Sequence, residues 1–216
     1  MKKLVIFDLD GTLADTSVDI MENLNLTLKK FGYPAITKEE TVAFVGNGAR
    51  KLVERALKGE IPDNFEEILA FYNRSYNFCG SPKTRAYDGV KELLKTLVKS
   101  GYMLVILTNK PQDGANEVVK KFFGDVAFSL VFGQREGVRP KPDGQAVGII
   151  LKTLGITEEE TVFIGDSDVD ILTAVNAGVD SIAVLWGFRG KEVLARAGAK
   201  FFAATPEEVA SVLKTL

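Results

Sequence analysis

Histidine is absent from this chain of 216 residues. Its absence excludes Ser-His-Asp hydrolysis, phosphatases with a histidine nucleophile and His-ligated zinc. Acid–base work is left to carboxylates, lysine, tyrosine or the lone thiol. The single cysteine rules out an internal disulfide and suits a reducing cytoplasm. Basic charge is not in surplus: 27 Lys and Arg stand against 29 Asp and Glu, for a net charge of −2. That balance argues against a nucleic-acid surface. No apolar run approaches the roughly 20 residues of a membrane span. Lys2 and Lys3 precede a run of strand length, not a signal peptide. Repeats and low-complexity tracts are missing as well. What remains is ordinary for a globular protein with a sizeable core, 46% hydrophobic and 26% charged.

The stretch Leu4-Val5-Ile6-Phe7-Asp8-Leu9-Asp10-Gly11-Thr12-Leu13 organises the rest. Four apolar residues read as a strand buried on both faces, the kind found inside a parallel sheet. The run ends in two aspartates spaced i, i+2, which extended backbone places on one side. Two like charges about 4 Å apart repel by roughly 4 kcal/mol at a protein-like dielectric, so the pair needs a cation or a shared proton. Turn capping explains one aspartate but not two at the edge where open α/β sheets bind ligands.

Residues 16–80 show helical periodicity and no convincing strand. Ile20, Leu24, Leu28 and Phe31 form one apolar stripe, and Thr37 with Glu40 reads as a capping box. Asp63 with Glu66 resembles a second box, and Asn47 is placed to cap a helix carrying Leu52 and Val53. This is a helical unit inserted after the first strand. The turn-like run 80–85 returns the chain. Strands and helices then alternate: helix 90–98, strand 103–107, helix 116–123, strand 130–132, a helix capped by Asp143, strand 161–164, helix 169–177, strand 181–185 and a last helix opened by Thr205-Pro206. Such alternation means an α/β fold, a parallel sheet with helices on both faces. The expected division is a core of residues 1–14 plus 83–216 and an all-helical cap of residues 15–82.

Several strand ends are polar. Thr108-Asn109 follows the second strand and can donate to anionic oxygens. Asp166, Asp168 and Asp170 crowd the end of the fourth, a density that a favourable helix dipole does not by itself require. Lys141 stands between Pro140 and Pro142, a rigid frame that a solvated lysine has no need of. Oxygen ligands without His or Cys select a hard cation, and one shared with phosphate suits Mg²⁺. Asp8 can then act as nucleophile and Asp10 as acid/base, with Thr108, Asn109 and Lys141 holding the transferring group.

Asp-Leu-Asp-Gly-Thr-Leu, Leu-Thr-Asn, a lone Lys and Gly-Asp-Ser-x-x-Asp, in that order from residue 8 to residue 170, resemble the haloacid-dehalogenase superfamily of phosphohydrolases. The resemblance implies a Rossmann-like core with a helical cap, Asp8 as nucleophile, and Asp10 as acid/base with its main-chain carbonyl on Mg²⁺. It also implies Asp166 as a metal ligand and Asp170 as a supporting carboxylate. Within the superfamily the likeness is to phosphoglycolate phosphatases, whose cap specificity loop Phe44–Val53 resembles. Asn47, Arg50 and Lys51 in that loop are candidate substrate contacts, although a glycine turn followed by a solvated basic helix face explains them equally.

Other chemistries fit parts of the sequence. Cys79 and Arg85 have the C-x5-R spacing of cysteine-dependent phosphatases, but a helical segment precedes Cys79 and Pro82 removes an N–H donor. A phosphosugar mutase, a pyrophosphatase or a non-catalytic Mg²⁺/phosphate-binding module would share most of the site. The expected partner is a small phosphorylated metabolite, with neither nucleic acid nor membrane, and a monomer or homodimer fits equally.

Overall fold

The structure, a computed structural model, describes residues 1–79 and 82–216, with the backbone alone at 77–79. β1 (Leu4–Phe7) runs through the middle of the protein. A short β2 (Ala14–Asp15) leads into four helices: α1 (Ser17–Lys30), α2 (Lys38–Phe44), α3 (Gly48–Ala56) and α4 (Phe65–Cys79). β3 (Arg85–Ala86) returns antiparallel to β2, with Ala14 opposite Ala86. After it come α5 (Val90–Lys99), β4 (Met103–Pro111), α6 (Gln112–Phe123), β5 (Leu130–Gln134), α7 (Gln145–Leu154) and β6 (Thr161–Gly165). The chain ends with α8 (Asp168–Ala177), β7 (Asp180–Val184), α9 (Lys191–Arg196), β8 (Phe201–Ala203) and α10 (Pro206–Leu213).

The main sheet has six strands in the order β5-β4-β1-β6-β7-β8, and every pairing in it is parallel. Alternation along β1 divides the core in two. Val5 and Phe7 pack with α5, α6 and α10, while Leu4 and Ile6 pack with α7 and α8. Both faces are covered, which is why β1 is an unbroken apolar run. Strand order reverses at β1, between β4 and β6, so the C-terminal ends of these three strands form the switch-point crevice.

The helical segment has its own apolar core of Leu24, Leu28, Leu52, Val53, Phe65 and Ile68. Its entry and exit are tied together by Asp19. The Asp19 carboxylate accepts from the backbone N–H and hydroxyl of Thr84, both at 2.6 Å, and from the N–H of Lys83 at 3.1 Å.

Most expected elements are present, and the differences have local causes. The Thr37–Glu40 box forms. The Asp63–Glu66 box does not: α4 starts at Phe65, and the carbonyl of Asn64 accepts from Glu67 and Ile68. Asn47 precedes α3, but its Oδ1 accepts from Arg55 instead of capping. The strand expected at 103–107 runs on to Pro111, and α6 begins four residues before the expected start. The sequence reading shows five parallel strands. The sixth, β8, has only three residues, too few for periodicity to register.

Candidate active site

The crevice at the ends of β1, β4 and β6 is lined by Asp8, Asp10, Thr108, Asn109, Lys110, Lys141, Asp166 and Asp170, and roofed by residues of the helical segment. Lys141 is buried, and its Nζ donates to Asp8 Oδ1 at 2.7 Å and to Asp170 Oδ1 at 2.6 Å. Its position is fixed through the backbone. Asn109 Oδ1 accepts from the Lys141 N–H at 2.8 Å, and Asn109 Nδ2 donates to the Lys141 carbonyl at 2.9 Å. The same Nδ2 donates to the Gly46 carbonyl at 2.9 Å. The Asn109 amide, expected to contact an anion, is therefore committed to main-chain carbonyls. Thr108 Oγ1 accepts from the Lys110 N–H at 3.2 Å, which leaves its O–H proton for the crevice.

Asp8, Asp166 and Asp170 each present a carboxylate oxygen, and these oxygens lie within 4.8 Å of one another. Asp170, expected behind the cluster, stands inside it. Its Oδ2 accepts from Ser167 Oγ at 2.6 Å and Ser167 N–H at 3.0 Å, a reciprocal cap at the start of α8. Asp166 Oδ1 accepts from Thr12 Oγ1 at 2.7 Å, and Oδ2 from the Phe188 N–H at 2.7 Å. Glycines make room for these carboxylates. A Cβ at Gly187 would lie 2.2 Å from the Asp166 Cβ, and one at Gly165 would lie 2.3 Å from the Asp170 Cβ. Gly11, at φ +95°, turns the backbone where a Cβ would lie 2.4 Å from Asp166 Oδ2.

Charge at the cluster is crowded. Burial pushes Asp8 well above the usual carboxylate range against the pull of Lys141, and Asp170, Asp166 and Asp10 push the same way. Asp166 is raised to about 7, chiefly by burial and then by Asp170, against the donors Phe188 and Thr12. Burial opposes the charged form of Lys141, but Asp170 and Asp8 more than offset it and hold its ammonium above the ordinary lysine range. Three buried carboxylates facing one ammonium, with an all-oxygen donor set, fit a hard divalent cation.

A pH dependence follows. Asp166 holds its proton to about pH 7 in the fold but to roughly pH 4 when unfolded. As pH rises between these values the unfolded state releases the proton first, so cation-free protein loses stability. Melting in the presence of chelator is expected at a lower temperature at pH 8 than at pH 5, and added Mg²⁺ is expected to raise it more at pH 8. A melting temperature that climbs from pH 5 to pH 8 with no cation effect would refute this.

Asp10 contributes differently. Its carboxylate is outside the three-oxygen cluster, and its Oδ1 accepts from Thr16 Oγ1 at 2.7 Å and Lys110 Nζ at 2.9 Å. Lys110 Nζ also donates to the Tyr76 hydroxyl at 2.8 Å, joining β4 to α4. Burial opposes the ammonium of Lys110, but Asp10 and Tyr76 raise it above the ordinary range. Lys110, Thr12 and Thr16 are given no role by the sequence alone. A lysine after Thr108-Asn109 carries no sequence sign of burial, because β4 reads as ending at 107.

The expected cap contacts are not brought to the crevice. Arg50 is exposed and pairs with both oxygens of Glu66 at 2.7 and 2.8 Å, and Lys51 pairs with Glu54 at 2.6 Å. Asn47 lies in a separate surface groove. Their neighbours Gly46, Gly48 and Ala49 line the crevice instead. Glycine there permits left-handed backbone, with φ +124° at Gly46 and +82° at Gly48. The rival Cys79 motif lies outside the described residues at its cysteine side chain and at 80–81. Arg85 Nη1 donates to the carbonyls of Pro82 and Thr84.

A family model described as haloacid dehalogenase-like hydrolase matches residues 5–184. The chain belongs to that family. Phosphoglycolate phosphatase of Aliivibrio fischeri is 34% identical over 88% of this chain and 87% of its own. That of Colwellia psychrerythraea is 32% identical over 99% and 97%. A crystal structure of a candidate phosphoglycolate phosphatase from Lactobacillus delbrueckii subsp. bulgaricus superposes with TM-score 0.91 and 31% identity, covering 99% of both chains. The parallel-sheet fold expected from the sequence is the one observed. By these likenesses the chain is a phosphoric monoester hydrolase of the phosphoglycolate phosphatase-like kind. Among the described residues no helix is long and apolar enough to cross a membrane.

Proposed function

We propose that this protein hydrolyses a small phosphomonoester, 2-phosphoglycolate foremost, through a phosphoryl group carried on Asp8. The observation that carries this reading is the Asp8 carboxylate, which meets Lys141 at 2.7 Å in a crevice shared with Thr108, Asp10 and Asp166. Asp8 attacks phosphorus in line, and the bond to the leaving alkoxide breaks. Asp10 gives that alkoxide a proton. Thr16 and Lys110 both bind Oδ1, which leaves Oδ2 to carry the proton. Asp10 then takes a proton from water as its oxygen attacks phosphorus, and the phosphorus–Asp8 bond breaks to release phosphate. Lys141 and Thr108 hold the phosphoryl oxygens, and Asn109 keeps Lys141 in place. Asp8, Asp166 and the main-chain carbonyl of Asp10 would hold Mg²⁺, with Asp170 in support. When bound, the ion supplies positive charge that balances the carboxylates and the phosphoryl oxygens.

Residues 15–82 form a cap that hinges near residues 14 and 82 and shuts out water. Contacts from Asn109 to Gly46 and from Lys110 to Tyr76 support its closed position, as do those from Arg189 to the Val42 and Val45 carbonyls. A screen of phosphate release over small phosphomonoesters, with Mg²⁺ and with chelator, tests the proposal. Release from 2-phosphoglycolate that stops on chelation is expected. No turnover on any ester, or release indifferent to chelation, would defeat the proposal.

A further inference from the structure

Among the described residues, two buried side-chain atoms have no hydrogen-bond partner, Asn23 Oδ1 and Asn73 Oδ1. Asn23 is anchored at its other end, where Nδ2 donates to the Tyr72 carbonyl at 3.0 Å. Asn73 differs because it lines the crevice. An amide oxygen shut away from water without a partner destabilises the fold, so its retention asks for an explanation.

The position of Asn73 supplies one. It stands on α4 three residues before Tyr76, on the same helix face. The Tyr76 hydroxyl accepts from Lys110, and Lys110 donates to Asp10. In the function proposed above, Asp10 is where the leaving oxygen gains its proton, so the alcohol portion of the substrate lies between Asp10 and α4. Nearby lining residues Ile20, Leu52 and Tyr72 are largely apolar, which makes the amide a polar point on a wall suited to a small group.

We propose that Asn73 is a specificity-determining residue whose amide binds the polar end of the leaving group. The substrate class is phosphomonoesters of small alcohols that carry a carboxylate or hydroxyl next to the ester carbon. As it stands Oδ1 accepts from a hydroxyl, and a half-turn of the amide brings Nδ2 to the same place, where it donates to a carboxylate. This inference rests on the reaction proposed above.

The test compares 2-phosphoglycolate with ethyl phosphate, which has a methyl group in place of the carboxylate. For Asn73→Leu, kcat/KM on 2-phosphoglycolate is expected to fall about tenfold or more, and on ethyl phosphate less than about threefold. The melting temperature is expected to rise by about 2–4 °C, because an unsatisfied amide has been removed. Asn73→Ala, which adds no bulk, is expected to show the same change in substrate preference. Equal losses on both esters, no loss on either, or a lower melting temperature with preference unchanged would overturn the role of Asn73. Wild-type protein that releases phosphate from neither ester would take down the underlying reaction as well.

Discussion

Asp8→Asn will abolish phosphate release, lowering kcat by about 10⁴-fold or more. The asparagine keeps the shape of the side chain but cannot attack phosphorus, and none of the neighbouring carboxylates can replace it. Asp166 is held by Thr12 and Phe188, and Asp170 by Ser167 and Lys141. Stability should move the other way. Burial and three nearby carboxylates raise Asp8, so a neutral group there relieves repulsion, and Lys141 keeps Asp170 as its partner. Cation-free Asp8→Asn is therefore expected to melt no lower than the wild type at pH 8. Steady-state phosphate release and thermal melting read both effects. A variant that retains more than a hundredth of wild-type turnover would remove Asp8 from the reaction.

Lys141→Met is expected to be the most damaging single change to stability at the site. Lys141 is 3% exposed and lies between Asp8 at 7% and Asp170 at 1%. Its loss leaves two buried carboxylates facing each other, and breaking a buried pair from one side costs about 3–5 kcal/mol. Arginine is not expected to rescue it, because a planar guanidinium does not fit a place built for a compact ammonium. Urea unfolding at pH 7.5 in chelator should show the loss. The double variant Lys141→Met/Asp170→Asn should recover a substantial part of it, because one of the stranded charges is gone. Added Mg²⁺ should also restore stability. Unchanged unfolding of Lys141→Met would show that Lys141 does not hold the carboxylates together.

The legible parts of this protein are those written in short contiguous runs. Leu4–Phe7 is apolar on both faces because both faces are covered, and Asp8 sits where that run ends, so strand and nucleophile candidate are read together. Lys141 was legible from its prolines, and Asp166 and Asp170 from their density. What escaped depends on contacts between distant segments. Burial of Lys110 requires Asp10 and Tyr76, which are 100 and 34 residues away in sequence. Arg50 and Lys51 follow glycines in a loop that does reach the crevice, but their side chains find Glu66 and Glu54 on the outer side of the helices. A charge on a helix is legible in sequence, whereas the direction it faces is set by packing. β8, at three residues, lies below the length at which alternation can be recognised.

Gly11, Gly165 and Gly187 leave the acidic centre no slack. Each removes a Cβ that would overlap Asp166 or Asp170, so even alanine, the least change available, displaces a carboxylate that faces Lys141 or its neighbours. Variation at this centre has no gentle first step, and drift there is closed off. On the opposite wall, Ala49, Leu52 and Asn73 carry side chains that do not press on Asp166 or Asp170, so new substrate preferences can accumulate there while the chemistry below stays fixed.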